Sequence, residues 1–270
     1  MNAEDRDRTR FHYELEKKLA NHLRHSTKEE RPELYVSLYN ELFSKVPEMA
    51  AENKAESARY ARQACALLRR FITPSSVFLE IGAGGGALSA LVAPLVKKVY
   101  ALEVSAETIA QFKPSSNTEV VLAQGVEIPL AADSVDCAFS TQVLEHIHPD
   151  DALDHVQNVV RVLKNGGVYV CLTPHRYSGP HDVSRAYDTE ATGFHLKEYT
   201  IRELIMLFKK GGLRDIQVYA NVRGWYVRYP LGVAYALEQV LGILPRKVQQ
   251  LISRLYPVKM FFGITIVGKK

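Results

Sequence analysis

The chain has 270 residues, 34 Lys+Arg against 30 Asp+Glu, a formal net charge of +4 and 47% hydrophobic residues. That suits one large folded domain or one domain with appendages, and excludes disordered and fibrous classes. Basic residues are scattered among acids, so no dense stripe for nucleic acid is expected. Cys65, Cys137 and Cys171 lie far apart in apolar contexts and read as reduced packing residues. No secretory signal follows Met1 and no run of about 18 apolar residues occurs, so a cytoplasmic protein without an integral membrane segment is expected.

Residues 1–73 read as a helical cap or lid. Phe11, Leu15, Leu19 and Leu23 keep a helical spacing. Thr27-Lys28-Glu29-Glu30 resembles a capping box, with Arg31-Pro32 in the first turn of a second helix striped by Leu34, Tyr35, Leu38, Leu42 and Phe43. Pro47 interrupts it, and a third helix runs from about Ala50 to Phe71. Tyr13, Tyr35 and Tyr39 are candidate liners of a substrate pocket.

After the breaker Thr73-Pro74-Ser75-Ser76, Val77 to Ile81 reads as a buried parallel strand. Gly82, Gly84, Gly85 and Gly86 allow a tight turn and close approach of a ligand to the main chain. A helix from about Ala87 to Val96 leads to a second strand, Val99–Leu102, with Glu103 at its carboxyl end, where an acid can hold a ribose diol. Glu80 just before the glycines would repel a pyrophosphate and suits a ligand with a cationic end. The reading of this bend as a site for a phosphate-free cationic ligand rests on that carboxylate, and fails if Glu80 turns into the interior or a diphosphate rests on the bend. Val120–Ala123 reads as a third strand leading into Gln124-Gly125-Val126-Glu127. Asp133-Ser134-Val135-Asp136 opens a fourth, ending at Ser140-Thr141 before Gln142-Val143-Leu144-Glu145-His146. A helix from Asp151 to Leu163, a Lys164-Asn165-Gly166-Gly167 terminator and a fifth strand, Val168–Pro174, complete the series.

Glu80-x-Gly82-x-Gly84, Glu103, Asp136 with Ser140, Glu145-His146 and Gly166-Gly167, in that order, resemble the class I S-adenosylmethionine-dependent methyltransferases over about Val77 to Pro174. The resemblance implies an α/β, Rossmann-like, seven-stranded and mostly parallel sheet over residues 74–270, helices on both faces and the last strand antiparallel near the edge. It implies S-adenosyl-L-methionine as cofactor, held by Glu80, Gly82, Ala83, Gly84, Glu103, Val104, Gln124, Gly125, Val126, Ser140, Thr141 and Gln142. The chain departs from the pattern at Gln124-Gly125, where an adenine-binding acid is expected; Glu127 is an alternative partner.

Pro174 to Thr200 is a long polar loop after a parallel strand, a common place for function. His146, His181 beside Asp182, and His175 are the candidate bases, each weighed against a structural role. Arg176, Arg185 and Arg223 could recognise an anionic acceptor. Some relatives hold a divalent metal at a Glu-His pair plus a further acid; Gln142 stands where that acid would be, so no metal is expected. Thr200 caps a helix through Phe208, Leu213–Ala220 reads as a sixth strand, and Met260–Val267 as the last. Residues 225–257 read as a helical insertion, for which a packed pair or dimer face is weighed above a peripheral membrane contact.

The expected function is transfer of a methyl group to a small-molecule acceptor. The alternatives are an inactive cofactor-binding scaffold and a nicotinamide-dependent oxidoreductase on the same sheet. No Asn/Asp-Pro-Pro-Tyr pattern follows the fourth strand, so a nucleic-acid substrate is not expected.

Overall fold

A computed structural model describes residues 3–46, 54–110 and 112–270. The expected break at Pro47 and a helix start at Ala50 lie outside the described residues. Three helices come first: α1 (Ala3–Arg24), α2 (Arg31–Lys45) and α3 (Lys54–Leu68). The alternating core follows as β1 (Val77–Ile81), α4 (Ala87–Val92), β2 (Lys98–Glu103), α5 (Ala106–Ala110), β3 (Thr118–Leu122), β4 (Val135–Thr141), α6 (Ala152–Val162) and β5 (Leu163–Pro174). The chain ends with α7 (Ile201–Lys210), β6 (Arg214–Val222), β7 (Trp225–Tyr229), α8 (Leu231–Gly242), α9 (Arg246–Arg254) and β8 (Gly263–Lys269).

Among the described residues the sheet has eight strands in the order β3-β2-β1-β4-β5-β8-β6-β7. The first five are parallel to their neighbours, and β8 runs antiparallel between β5 and β6. Two expectations change here. The last strand is interior rather than near the edge, and the edge is β7, inside the segment expected to be helical. The signal for β7 is local: Tyr226 is buried between exposed Trp225 and Val227, a period of two. Arg223 and Gly224 have φ of 53° and 94°, the positive values that a two-residue hairpin turn needs at both central positions.

Strand alternation sorts the core into two layers. Phe78, Val99, Phe139 and Val170 face α3 and α4, where Leu67, Leu68, Leu88 and Val92 cover them. Leu79, Ile81, Ala138 and Tyr169 face α6 and α7, against Val156, Val159, Leu204 and Phe208. Full burial of each such side chain stabilises by about 1.5–3 kcal/mol.

The cap is smaller than residues 1–73. Leu15, Leu19, Leu23, Leu38 and Leu42 of α1 and α2 form their own cluster with Phe194, whereas α3 belongs to the sheet layer. Phe11, expected on the apolar stripe, is 53% exposed. Half of the expected capping box forms: the Glu30 carboxylate accepts from Thr27 N at 2.8 Å. Thr200 and Glu203 form a complete reciprocal box at the start of α7.

The cap is latched by buried polar contacts. Arg31 donates from Nε and Nη2 to the two oxygens of Asp151, each at 2.7 Å. The Tyr35 hydroxyl donates to the same carboxylate at 3.1 Å and accepts from His148 N at 2.7 Å. Arg24 donates to the carbonyls of Thr192 and Gly193, so α1 holds the loop after β5.

Candidate functional site

The carboxyl ends of β1, β2 and β4 open into a cavity of about 900 Å³. The glycine turn and β2 supply one wall, with Gly82, Gly84, Glu103 and Val104; Tyr35, Tyr39 and Phe43 of α2 supply another. Gly82 has φ +71°, and a Cβ there would lie 2.6 Å from Val143 Cγ2. Gly84 has φ +52°, and a Cβ there would meet nothing within 4 Å, so its bare backbone faces open space. The Glu103 carboxylate accepts from the amides of Gly84 at 2.9 Å, Val104 at 2.7 Å and Ser105 at 3.1 Å. These bonds fix the carboxyl group at the strand end and leave one acceptor site, on Oε2, for a ribose hydroxyl.

Glu80 is not in that wall. Strand parity sends it to the Phe78 side, where it is 4% exposed and accepts a hydrogen bond from the Ser89 hydroxyl of α4. Burial lifts its pKa to about 8. The expectation that this carboxylate faces a cationic ligand is therefore corrected: alternation along a five-residue strand decided its direction. Ala83 is 7% exposed and also lies outside the lining.

Of the expected adenine-side residues, Gly125 and Val126 line the cavity with Glu127 and Ile128, while Gln124 does not. Gly125 sits under the cap, its ideal Cβ position 3.2 Å from Pro32 Cα. At the end of β4, Gln142 lines the cavity from a backbone at φ +53°. Thr141 is not among the lining residues, and Ser140 is fully buried against the Tyr169 hydroxyl at 2.8 Å. Ser105, Thr108 and Lys113 line the cavity without having been singled out, because nothing in their local pattern marks them.

Of the three candidate bases, only His146 lines the cavity. Its Nδ1 lies 3.0 Å from the Phe194 carbonyl, which can only accept, so Nδ1 carries the proton and Nε2 the lone pair. Burial, then His195, pushes its pKa down to about 3. His175 is a pin between elements: its Nε2 donates to Glu238 of α8 at 2.9 Å and its Nδ1 accepts from Tyr177 N. His181 Nε2 meets Ser178 Oγ at 2.8 Å. Its expected partner Asp182 instead accepts from Ser184, Gly193 and His195 amides, so the His181–Asp182 dyad does not form. Tyr13 also leaves the pocket, donating to Asp188 at 2.7 Å and stacking on Tyr187. Arg176 pairs with Glu203 at 3.0 Å and Arg223 lies over Tyr256, so neither faces the cavity.

Beside His146 lies a buried cluster that the sequence left scattered. His195 stands edge-on to His146 with centroids 4.8 Å apart, and donates from Nδ1 to Glu198 at 2.9 Å. Burial lowers its pKa, but the Glu198 hydrogen bond and the carboxylates of Glu145 and Glu198 outweigh that and raise it. Glu145 accepts from Thr173 Oγ1 at 2.9 Å, leaves Oε1 without a partner, and is lifted to about 7 by burial. One donor atom each from Glu145, His146 and His195 lies within 4.8 Å of the others. Donors around a tetrahedral zinc are about 3.3 Å apart, given 2.0–2.1 Å bonds. The His195 imidazole, its pKa raised, thus lies among the Glu145 carboxyl group, the His146 ring and its hydrogen-bond partner Glu198.

Bare glycine backbone, a fixed carboxylate 19 positions on and an apolar Val126 wall fit an adenosyl group without a phosphate contact. Residues 79–171 match the family model described as "Methyltransferase domain". A "Probable S-adenosylmethionine-dependent methyltransferase" of Mycolicibacterium smegmatis is 32% identical over 136 residues, 50% of each chain. One of Mycobacterium tuberculosis is 31% identical over 139 residues, 51% of this chain and 48% of that one. The chain thus spans about half the length of the curated relatives it matches. Among solved structures, Haemonchus contortus phosphoethanolamine N-methyltransferase 1, in complex with phosphoethanolamine and S-adenosylhomocysteine, superposes with TM-score 0.60 at 13% identity, over 91% of this chain and 50% of that one. An S-adenosylmethionine-dependent methyltransferase of Archaeoglobus fulgidus gives 0.53 at 16% identity, over 78% and 94%. At those identities the structures establish the fold alone. Residues 79–171, the part built on the glycine turn, thus match a methyltransferase domain, and about half of the chain is similar to probable S-adenosylmethionine-dependent methyltransferases.

Proposed function

We propose that the protein methylates a small-molecule acceptor enclosed between the glycine turn and α2. The observation that carries this reading is that Gly82, Gly84, Glu103 and Val126 line the same cavity as Tyr35, Tyr39 and His146. About 900 Å³ is at the upper end of ordinary ligand pockets and suits an adenosyl cofactor plus a compact acceptor. S-adenosyl-L-methionine, when bound, supplies an already activated methyl group, so the protein's part is alignment and exclusion of water. Glu103 accepts a hydrogen bond from a ribose hydroxyl, and the Gly84 and Gly85 backbone bounds the ligand. His146, neutral at pH 7 with a free Nε2 lone pair, accepts a hydrogen bond from the acceptor and orients it; a ring that weakly basic does not store the proton. Glu103 and Glu127 are the acids of the lining and Lys113 its lysine, which favours an acceptor that is not strongly anionic.

Calorimetry and single-turnover assays with cofactor test the reading. Gly84→Asp places a carboxylate in the ligand space and forces a side chain onto φ +52°, so cofactor affinity should fall by about 100-fold or more. His146→Gln should leave that affinity within about twofold while lowering acceptor turnover by about 10–100-fold. No binding by the wild type, or equal binding by Gly84→Asp, would refute the assignment.

A further inference from the structure

The last fifth of the chain has a surface that the cavity does not use. From Ile216 to Lys270 there are eight Lys/Arg and one acid, Glu238, whereas the preceding residues hold 26 Lys/Arg and 29 Asp/Glu. The near-neutral total therefore conceals a basic C-terminal region. Glu238 is 5% exposed, and its carboxylate accepts from His175 Nε2 and from the Ile201 and Arg202 amides. The exposed charge of this region is thus entirely positive.

α8 and α9 also turn the wrong side outward for helices in water. α9 buries Gln249 and Ser253, and uses Gln250 Nε2 and Ser253 Oγ to donate to the carbonyls of Gly179 and Tyr177 at 2.8 and 3.0 Å. Its outer face carries Val248, Leu251 and Leu255 at i, i+3 and i+7, with Leu251 63% exposed. Lys247 borders Leu251 on that face, whereas Arg254 donates from Nε to the Ser178 carbonyl at 3.1 Å. On α8, Val240 is 61% exposed, and Ile243 just beyond it is 82% exposed. Tyr256, 61% exposed, lies beneath Arg223 of the β6–β7 hairpin, two residues before Trp225, which is 75% exposed. Neither Lys247 nor Lys259 has an ion-pair partner among the described residues.

We propose that α8, α9 and the adjoining hairpin seat the protein on an anionic lipid surface. Val240, Ile243, Leu251 and Leu255 would enter the boundary between headgroups and acyl chains, and Lys247 and Lys259 would meet headgroup phosphates. Trp225 and Tyr256 are the amphipathic aromatics favoured at that depth. Among the described residues no helix is long and apolar enough to cross a membrane, so the mode is interfacial. Charge complementarity selects lipid over a second copy. A two-fold contact would set Lys247, Arg254 and Lys259 against their own kind, with the one acid of the region buried.

The full chain is sedimented with vesicles of phosphatidylglycerol and phosphatidylcholine in equal parts, and with phosphatidylcholine alone, at low and high salt. The wild type should bind the anionic vesicles, release with salt, and shift the emission of Trp225 to the blue. Ile243→Asp/Leu251→Asp and, separately, Lys247→Gln/Lys259→Gln should each lower partitioning by about tenfold or more with unchanged thermal midpoints. The mild lysine pair keeps the test valid if the apolar pair fails to fold. Absence of binding to anionic vesicles, or equal binding by wild type and the lysine variant, overturns the proposal. So does a light-scattering mass of a dimer that Ile243→Asp/Leu251→Asp converts to monomer.

Discussion

At the scale of the residue, Glu80 shows how a carboxylate beside a ligand turn can serve the scaffold instead of the ligand. Burial raises its pKa from 4.5 to about 8, so folding favours the protonated form. Below pH 4.5 the acid is protonated in both states and costs nothing. As pH rises from there to about 8, the unfolded chain gives up its proton and the folded one keeps it, so stability is lost across that window. Glu80→Gln keeps the shape and the contact with Ser89 but cannot ionise. Its melting temperature relative to wild type should therefore climb steadily between pH 5 and pH 8 in protein free of cofactor. A difference in melting temperature that stays constant across the window would show that Glu80 ionises in the folded protein as readily as in the unfolded chain.

At the scale of the element, α2 is both a wall of the cavity and the latch of the cap. The Arg31–Asp151 pair is 4% and 5% exposed, and Tyr35 adds a third bond to the same carboxylate. Asp151→Ala leaves a guanidinium buried without its partner, which costs about 3–5 kcal/mol. Thermal melting should register that loss, and proteolysis at residues 25–30 should accelerate; Arg31→Leu/Asp151→Leu should recover part of it. Unchanged proteolysis would mean that the apolar cluster around Leu38 and Leu42 holds the cap by itself. This latch was not legible in the sequence, because Arg31 and Asp151 are joined only by the fold. The β1–glycine–β2 unit was legible, since turn and strands are contiguous and each glycine is a local conformational demand. The misread direction of Glu80 came from not carrying the alternation of Phe78 and Leu79 one residue further. His181 beside Asp182 failed for the opposite reason: neighbours in sequence on an irregular loop need not face each other. The imidazole of His195 went unassigned, since its carboxylates come from Glu145 after β4 and Glu198 before α7.

At the scale of the whole molecule, the chain follows a near-neutral first four-fifths with a basic last fifth, and one buried acid helps to join the two. Glu238 takes hydrogen bonds from His175 at the end of β5 and from the first amides of α7, so a single side chain ties α8 to two elements of the sheet domain. Glu238→Ala strands two buried donors, His175 Nε2 and the Ile201 amide, each worth about 1–3 kcal/mol when left unmet, and the half-buried Arg202 amide. Because those donors lie at the junction, the loss should be local. Amide hydrogen exchange should quicken across residues 231–254 while β1, the glycine turn and β2 keep their protection, and cofactor affinity should hold within about twofold. Vesicle binding should weaken as well, since the helices lose a fixed seat. If exchange instead rises equally in β1, α8 and α9 fold in one cooperative unit with the sheet, and Glu238 is a keystone of the entire domain rather than the tether of its C-terminal part.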